Sequence, residues 1–103
     1  MNNILTFLGL IRRAGRLEYG MERVISSVGI GHARLVVISR DISANTLKKL
    51  TRSIEGSGVR ILTIPFTTEE IGAAVGAGNS AVLAICDRGF AKALLEKTKE
   101  KED

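Results

Sequence analysis

Two short stretches offer no polar side to water: Leu35–Ile38, which reads Leu-Val-Val-Ile, and Ala81–Cys86, which reads Ala-Val-Leu-Ala-Ile-Cys. A half-exposed strand alternates apolar and polar side chains, so an unbroken apolar run of this length reads as a strand covered on both faces. A chain with such strands needs helices on either side of its sheet. The remaining sequence supplies them.

Ile4, Phe7, Leu8 and Ile11 fall on one helical face, and Gly15 is placed to end that helix. Leu17–Tyr19 reads as a short extended piece. Gly20 then opens a second helix with Val24, Ile25 and Val28 inward and Gly29 and Gly31 as its stop. After the first buried strand, Ser43 is suited to cap a third helix. Leu47, Leu50, Thr51 and Ile54 form its inner stripe, Lys48, Lys49 and Arg52 face out, and Gly56 and Gly58 end it.

Arg60–Ile64 reads as another strand, closed by Pro65, and Thr67 with Glu70 has the spacing of a capping box. Ile71, Ala74 and Val75 give the fourth helix its inner face, Gly76–Ser80 is a loop, and Asp87 caps a last helix packed through Phe90, Leu94 and Leu95. The expected fold is α/β, with helices on both faces of the sheet. The expected sheet is small and mixed: most connections are long enough to be helical crossovers, which leave room for parallel pairing over much of it. The pattern does not encode strand order.

With 103 residues the chain fits one domain spanning 1–103, with a charged, fraying tail from Glu96. No apolar run approaches the roughly 20 residues that span a bilayer. Arg12 and Arg13 follow the first apolar stretch instead of preceding it, which speaks against a secretory signal. Cys86 is the single cysteine, so no internal disulfide forms, and the expected location is cytoplasmic. The net charge of +4 is unevenly spread: residues 1–52 carry +6 and residues 53–103 carry −2. A basic half on a small domain is the footprint of a polyanionic partner, although ordinary solubilising charge gives the same totals.

Catalysis needs converging groups, and the sequence offers none. His32 is the only histidine and lies in a polar loop, where it reads as a surface residue. Cys86 ends a buried strand and reads as a quiet core thiol. There is no cysteine–histidine cluster for zinc. Gly76-Ala77-Gly78 precedes a strand, whereas a nucleotide phosphate loop follows one. Asp87-Arg88-Gly89 reads as a helix cap. No cofactor, metal or membrane partner is expected.

Three places suit a ligand. The start of the second helix, Gly20-Met21-Glu22-Arg23, presents backbone N–H groups and a partial positive charge suited to phosphate. Ser39-Arg40-Asp41 follows the carboxyl end of a buried strand, where open α/β sheets bind ligands, although Asp41 also fits a simple turn with Ser43. The loop containing Gly78, Asn79 and Ser80 is small and uncharged enough to pack against a base or a backbone, and serves equally as a plain connector.

At these same places the chain resembles a known family. The residues that carry the likeness are Leu8-Gly9-Leu10-Ile11-Arg12-Arg13-Ala14-Gly15-Arg16-Leu17, then Gly20, then Ala33-Arg34-Leu35-Val36-Val37-Ile38-Ser39-Arg40-Asp41-Ile42-Ser43. Asn45-Thr46, Lys48-Lys49-Leu50, Ile71-Gly72-Ala73-Ala74-Val75-Gly76 and Asp87-Arg88-Gly89-Phe90-Ala91 complete it. The set is similar to the ribosomal-protein family of archaeal large-subunit protein seven-Ae and eukaryotic protein thirty-e, in its bacterial YlxQ-like branch. No single motif is diagnostic; the ordered set, from about residue 5 to residue 95, is specific.

The resemblance implies a three-layer α-β-α sandwich that binds kink-turn RNA, a sharply bent helix with tandem G·A pairs. It implies that the start of the second helix reads those pairs and that the loop before the last strand grips a flipped-out nucleotide. The family pattern after the helix-opening glycine is any residue, asparagine, glutamate, two variable residues and lysine. Gly20 fits; Glu22, Arg23 and Ser26 stand where asparagine, glutamate and lysine are usual. Arg23 is chemically able to make a bidentate contact to guanine, and Arg40 or Arg16 to replace the phosphate contact missing at Ser26. The expected activity is non-catalytic binding of structured RNA, ribosomal or from another ribonucleoprotein, with ribosomal proteins as further candidate partners. The alternatives are a protein-interaction module with the same fold and no RNA affinity, and an enzyme or a substrate-docking domain of an RNA-modifying enzyme.

Overall fold

The structure, a computed structural model, describes residues 3–102. Helices and strands alternate: α1 (Asn3–Arg13), β1 (Leu17–Tyr19), α2 (Met21–Gly29), β2 (Leu35–Ile38), α3 (Ala44–Ile54), β3 (Ile61–Thr63), α4 (Thr68–Val75), β4 (Val82–Ile85) and α5 (Arg88–Glu102). Successive side chains of a strand point to opposite faces, and the two apolar strands therefore feed two separate cores. Leu35, Val37, Leu83 and Ile85 pack with α1, α4 and α5 through Ile4, Leu8, Ile11, Ile71, Val75, Ala91 and Leu94. Val36, Ile38, Val82 and Ala84 pack with α2 and α3 through Val24, Val28, Leu50 and Ile54. The result is the three-layer α-β-α sandwich expected from the sequence.

The sheet runs in the order β1-β4-β2-β3. Only β2 and β3 pair in parallel, while β4 is antiparallel to both β2 and β1. The sheet is mixed, as expected, but β2–β3 is its one parallel pair, fewer than the helical connections allow, and the cause lies in how α4 is connected. Residues 76–80 double back along α4, so that the Ser80 amide meets the Thr68 carbonyl at 3.4 Å. The chain thus enters β4 from the end of the sheet at which it left β3. The return path passes close over Gly72: a Cβ there would overlap the Gly78 carbonyl oxygen.

Local signals set the ends of α4. Thr67 and Glu70 form the reciprocal capping box, with the Glu70 amide on the Thr67 hydroxyl at 3.1 Å and the Thr67 amide on Glu70 Oε1 at 2.9 Å. Asp41 Oδ1 accepts from both the amide and the hydroxyl of Thr68, each at 2.8 Å. Gly76 closes the helix in the left-handed conformation, φ 69° and ψ 33°. Ser43 caps α3 as expected, accepting from the Thr46 amide. Thr51, expected inside, is exposed; its hydroxyl donates to the Leu47 carbonyl at 2.8 Å and so needs no buried partner. The charged stretch from Glu96 is helical through Glu102, with Lys97 Nζ 5.0 Å from the centre of the Phe7 ring, and Asp103 lies outside the described residues. No described helix is long and apolar enough to cross a membrane.

Gly72 gives a direct test of the fold-back. In an open helix Gly→Ala is favourable by about 1 kcal/mol. Here the added methyl group meets backbone, so Gly72→Ala is expected to destabilise the protein by about 1–3 kcal/mol in a denaturant titration and to shift the amide resonances of residues 76–80. A variant as stable as the parent contradicts the close packing.

Candidate nucleic-acid interface

The first residue of β4 is where the three candidate places meet. The Gly20 amide donates to the Val82 carbonyl at 3.1 Å, and the Ser39 amide to the Ala81 carbonyl at 3.0 Å. Ser80 lies two residues before that strand. The starts of α2 and β4, the end of β2 and the loop therefore share one end of the sheet.

What each residue presents there differs. Gly20 has φ 91° and ψ 145°, a backbone state that L side chains rarely adopt. A Cβ at Gly20 would meet no protein atom within 4 Å, so the requirement is conformational and the space beside it is open. No side chain caps α2, which leaves the amides of its first turn, from Met21, Glu22 and Arg23, without that partner. Met21 is half-buried against the α2/α3 core, whereas Glu22, Arg23 and Ser26 are exposed. Gly78 and Asn79 are exposed at the loop tip and Ser80 is buried.

Ser39 turns inward, and Asp41, although exposed, is held by the start of α4. Ser39 is fully buried, its hydroxyl 3.1 Å from that of Thr68, and Asp41 accepts the two Thr68 bonds. Both tie the end of β2 to the start of α4, and so hold the scaffold under the loop. Arg40 leaves the cluster and lines a separate trough with Ile4, Leu62 and Pro65. Arg16 sits at the other end of β1, where its carbonyl accepts from the Cys86 amide at 2.8 Å. It nevertheless lines the groove of about 650 Å³ beside α2, together with Glu18, Glu22, Arg23, Ser26 and Arg34. Of the two replacements considered for the phosphate contact at Ser26, Arg16 shares a groove with it and Arg40 does not.

Two residues outside the sequence expectation join the halves of this surface. Arg12 Nη1 donates to the Val75 carbonyl at 2.7 Å, a cation at the C-terminal end of α4 where the helix dipole favours it. The same guanidinium lies 4.8 Å from the centre of the Tyr19 ring, and that of Arg23 lies 5.5 Å from it. Val75, Arg12, Tyr19 and Arg23 thus form a continuous link from the base of the loop to the first turn of α2. The sequence held a signal for it: the single tyrosine stands directly before the helix-opening glycine. Elsewhere in the groove, Cys86 Sγ lies 3.2 Å from the Ser27 hydroxyl. No group of His, Cys, Asp and Glu residues suited to a metal ion occurs among the described residues.

An antiparallel-dominated four-stranded sheet between two helical layers, with a helix start and a glycine loop at one end, defines the class. The chain belongs to the ribosomal protein L7Ae/L30e/S12e/Gadd45 family, whose model matches residues 2–95. It is 32% identical over 92 residues to the RNA-binding protein YlxQ of Bacillus subtilis, covering 85% of this chain and 87% of that one. It is 34% identical over 96 residues to the RNA-binding protein YlxQ of Enterococcus faecium, covering 93% of this chain and 87% of that one. A protein of unknown function from Bacillus halodurans has a similar structure, with TM-score 0.85 at 29% identity, covering 94% of this chain and 97% of that one. The Giardia lamblia 15.5kD RNA binding protein shares the fold, with TM-score 0.75 at 20% identity, covering 96% of this chain and 84% of that one.

Asp41 offers a pH test of the scaffold. The Thr68 hydroxyl, and then the Thr68 amide, hold its carboxyl below the ordinary value of 3.8. A depressed folded-state value means that the ionised group stabilises the fold above pH 3.8, and that this effect is lost as pH falls through the lower folded value. Asp41→Asn is therefore expected to lower Tm at neutral pH, with the gap from the parent narrowing once the pH drops below 3.8. An unchanged gap contradicts the assignment.

Proposed function

We propose that this chain is a non-catalytic binder of structured RNA, of the kink-turn type, in ribosomal or other ribonucleoprotein RNA. The observation that carries the reading is the link through Arg12, Tyr19 and Arg23, which fixes the uncapped start of α2 against the loop before β4. Membership of the family and the RNA-binding names of its similar members support it.

Each part has a chemical task in this reading. The first-turn amides of α2 donate to a phosphate or a base edge. Arg23, steadied over Tyr19, makes the bidentate contact to guanine O6 and N7 in place of the family's usual glutamate. Gly78 and Asn79 at the exposed loop tip pack against a flipped-out nucleotide. Arg16 supplies a phosphate contact across the groove from Ser26. Glu22 lines the same groove and repels phosphate, the one feature that favours the second reading: a protein-interaction module in a ribonucleoprotein, docking a ribosomal protein and lacking RNA affinity of its own.

RNA binding measured against salt separates the two. With three to five phosphate contacts, log affinity is expected to fall against log salt with a slope of roughly −2 to −4. Arg23→Ala should cost about 1–3 kcal/mol and flatten discrimination between a G·A-containing kink and its mutated control. Ser26→Lys should tighten binding to a standard kink-turn. A slope near zero, or both variants folded with RNA affinity unchanged, gives the surface to a protein partner.

A further inference from the structure

The sheet edge opposite β1 is β3, and it is built differently from the RNA end. Its pairing to β2 uses the Arg60 carbonyl, which accepts from the Val36 amide at 2.9 Å, and the Ile64 amide, which donates to the Ile38 carbonyl at 3.1 Å. Backbone groups of a strand point alternately to its two edges. With residues 60, 62 and 64 turned to β2, the N–H and C=O groups of Ile61 and Thr63 face away from the sheet.

Two troughs of about 310 Å³ each lie beside this edge. They share Leu62 and Thr98 and so run on into one another along β3, between it and α5. Ile4, Leu62, Ile64, Pro65 and Leu95 give an apolar floor. Among the described side chains, Arg40, Arg60, Lys92 and Lys99 line it against one acid, Glu96.

We propose that this edge takes an extended, acidic peptide segment of a partner protein, added to the sheet beside β3. The segment's backbone pairs with Ile61 and Thr63, an apolar residue settles beside Leu62, and flanking carboxylates meet the cations, the general mode of strand addition. The charge selects the occupant. A second copy of this chain placed edge to edge would set Arg40, Arg60, Lys92 and Lys99 against the same four residues, so self-pairing is opposed. Phosphates of RNA would also suit the cations, but among the described residues no aromatic side chain lines the troughs to stack a base, and the outward backbone groups of Ile61 and Thr63 match a peptide. Because β1 and β3 close opposite sides of the sheet, occupancy here leaves the start of α2 open. The proposal stands whether or not the chain binds RNA.

The test is a resonance titration of the isotope-labelled full chain with the peptide acetyl-Asp-Glu-Val-Thr-Val-Glu-Asp-amide. A version with lysine at every acidic position, a version N-methylated at its valines and a single-stranded uridine oligonucleotide are run beside it. Saturable shifts of the Ile61 and Thr63 amides are expected with the acidic peptide alone. Arg60→Glu combined with Lys92→Glu should weaken binding at least about fivefold, the equivalent of two exposed ion pairs of about 0.5 kcal/mol each. Both side chains are exposed, so the fold is expected to persist, and the variant's own spectrum checks that. The proposal is overturned if the acidic peptide leaves those amides unmoved, or if the lysine or N-methylated version binds as well. Tighter binding of the oligonucleotide at the same amides assigns the troughs to nucleic acid instead.

Discussion

The close passage of residues 76–80 over Gly72 is the contact on which the rest of the arrangement depends. It is a backbone-to-backbone approach, made where α4 has no side chain to hold the loop off. It returns the chain to the end of the sheet it has just left, which makes β4 antiparallel and sets that strand between β1 and β2. The same contact fixes the glycine loop beside the start of α2. The direction of β4 and the placement of the loop are therefore tied to one packing contact, and a methyl group at Gly72 would collide with it.

Electrostatics then holds the piece that the fold-back creates. The N-terminal end of α4 receives Asp41 and Glu70, and its C-terminal carbonyl at Val75 receives Arg12. These contacts sit where the helix dipole rewards each sign of charge. Arg12 also faces Tyr19, and Tyr19 faces Arg23, so the charge that steadies one helix end is mechanically continuous with the exposed guanidinium at the first turn of α2. The interface is small and its parts come from α1, β1, α2 and the loop. Its geometry rests on the tertiary fold, and α2 alone does not reproduce it.

Much of the fold was legible in the sequence because its signals are local. The two apolar runs state that they are covered on both faces, and Ser43 and the Thr67–Glu70 pair announce helix starts by spacing alone. Gly20 as a helix opener was equally plain. The direction of β4 was not, because hydropathy does not record a glycine that permits backbone contact. Thr51 was misplaced since a threonine can satisfy its hydroxyl on its own helix and face water. In the candidate site, the start of α2 and the loop were readable and do converge. The burial of Ser39, the engagement of Asp41 by Thr68, the departure of Arg40 and the part played by Arg12 and Tyr19 depend on contacts between residues far apart in sequence.

The proposed function puts RNA across the start of α2 and the loop before β4, and away from the cationic outer face of α3. Amide chemical-shift mapping of the labelled chain with a G·A-containing kink-turn RNA tests that most directly. The account predicts that the largest shifts fall on Gly20–Arg23 and on the loop residues Gly76–Asn79, with α3 around Lys48, Lys49 and Arg52 little changed. Shifts centred on that α3 face, with Gly20–Arg23 undisturbed, would contradict it.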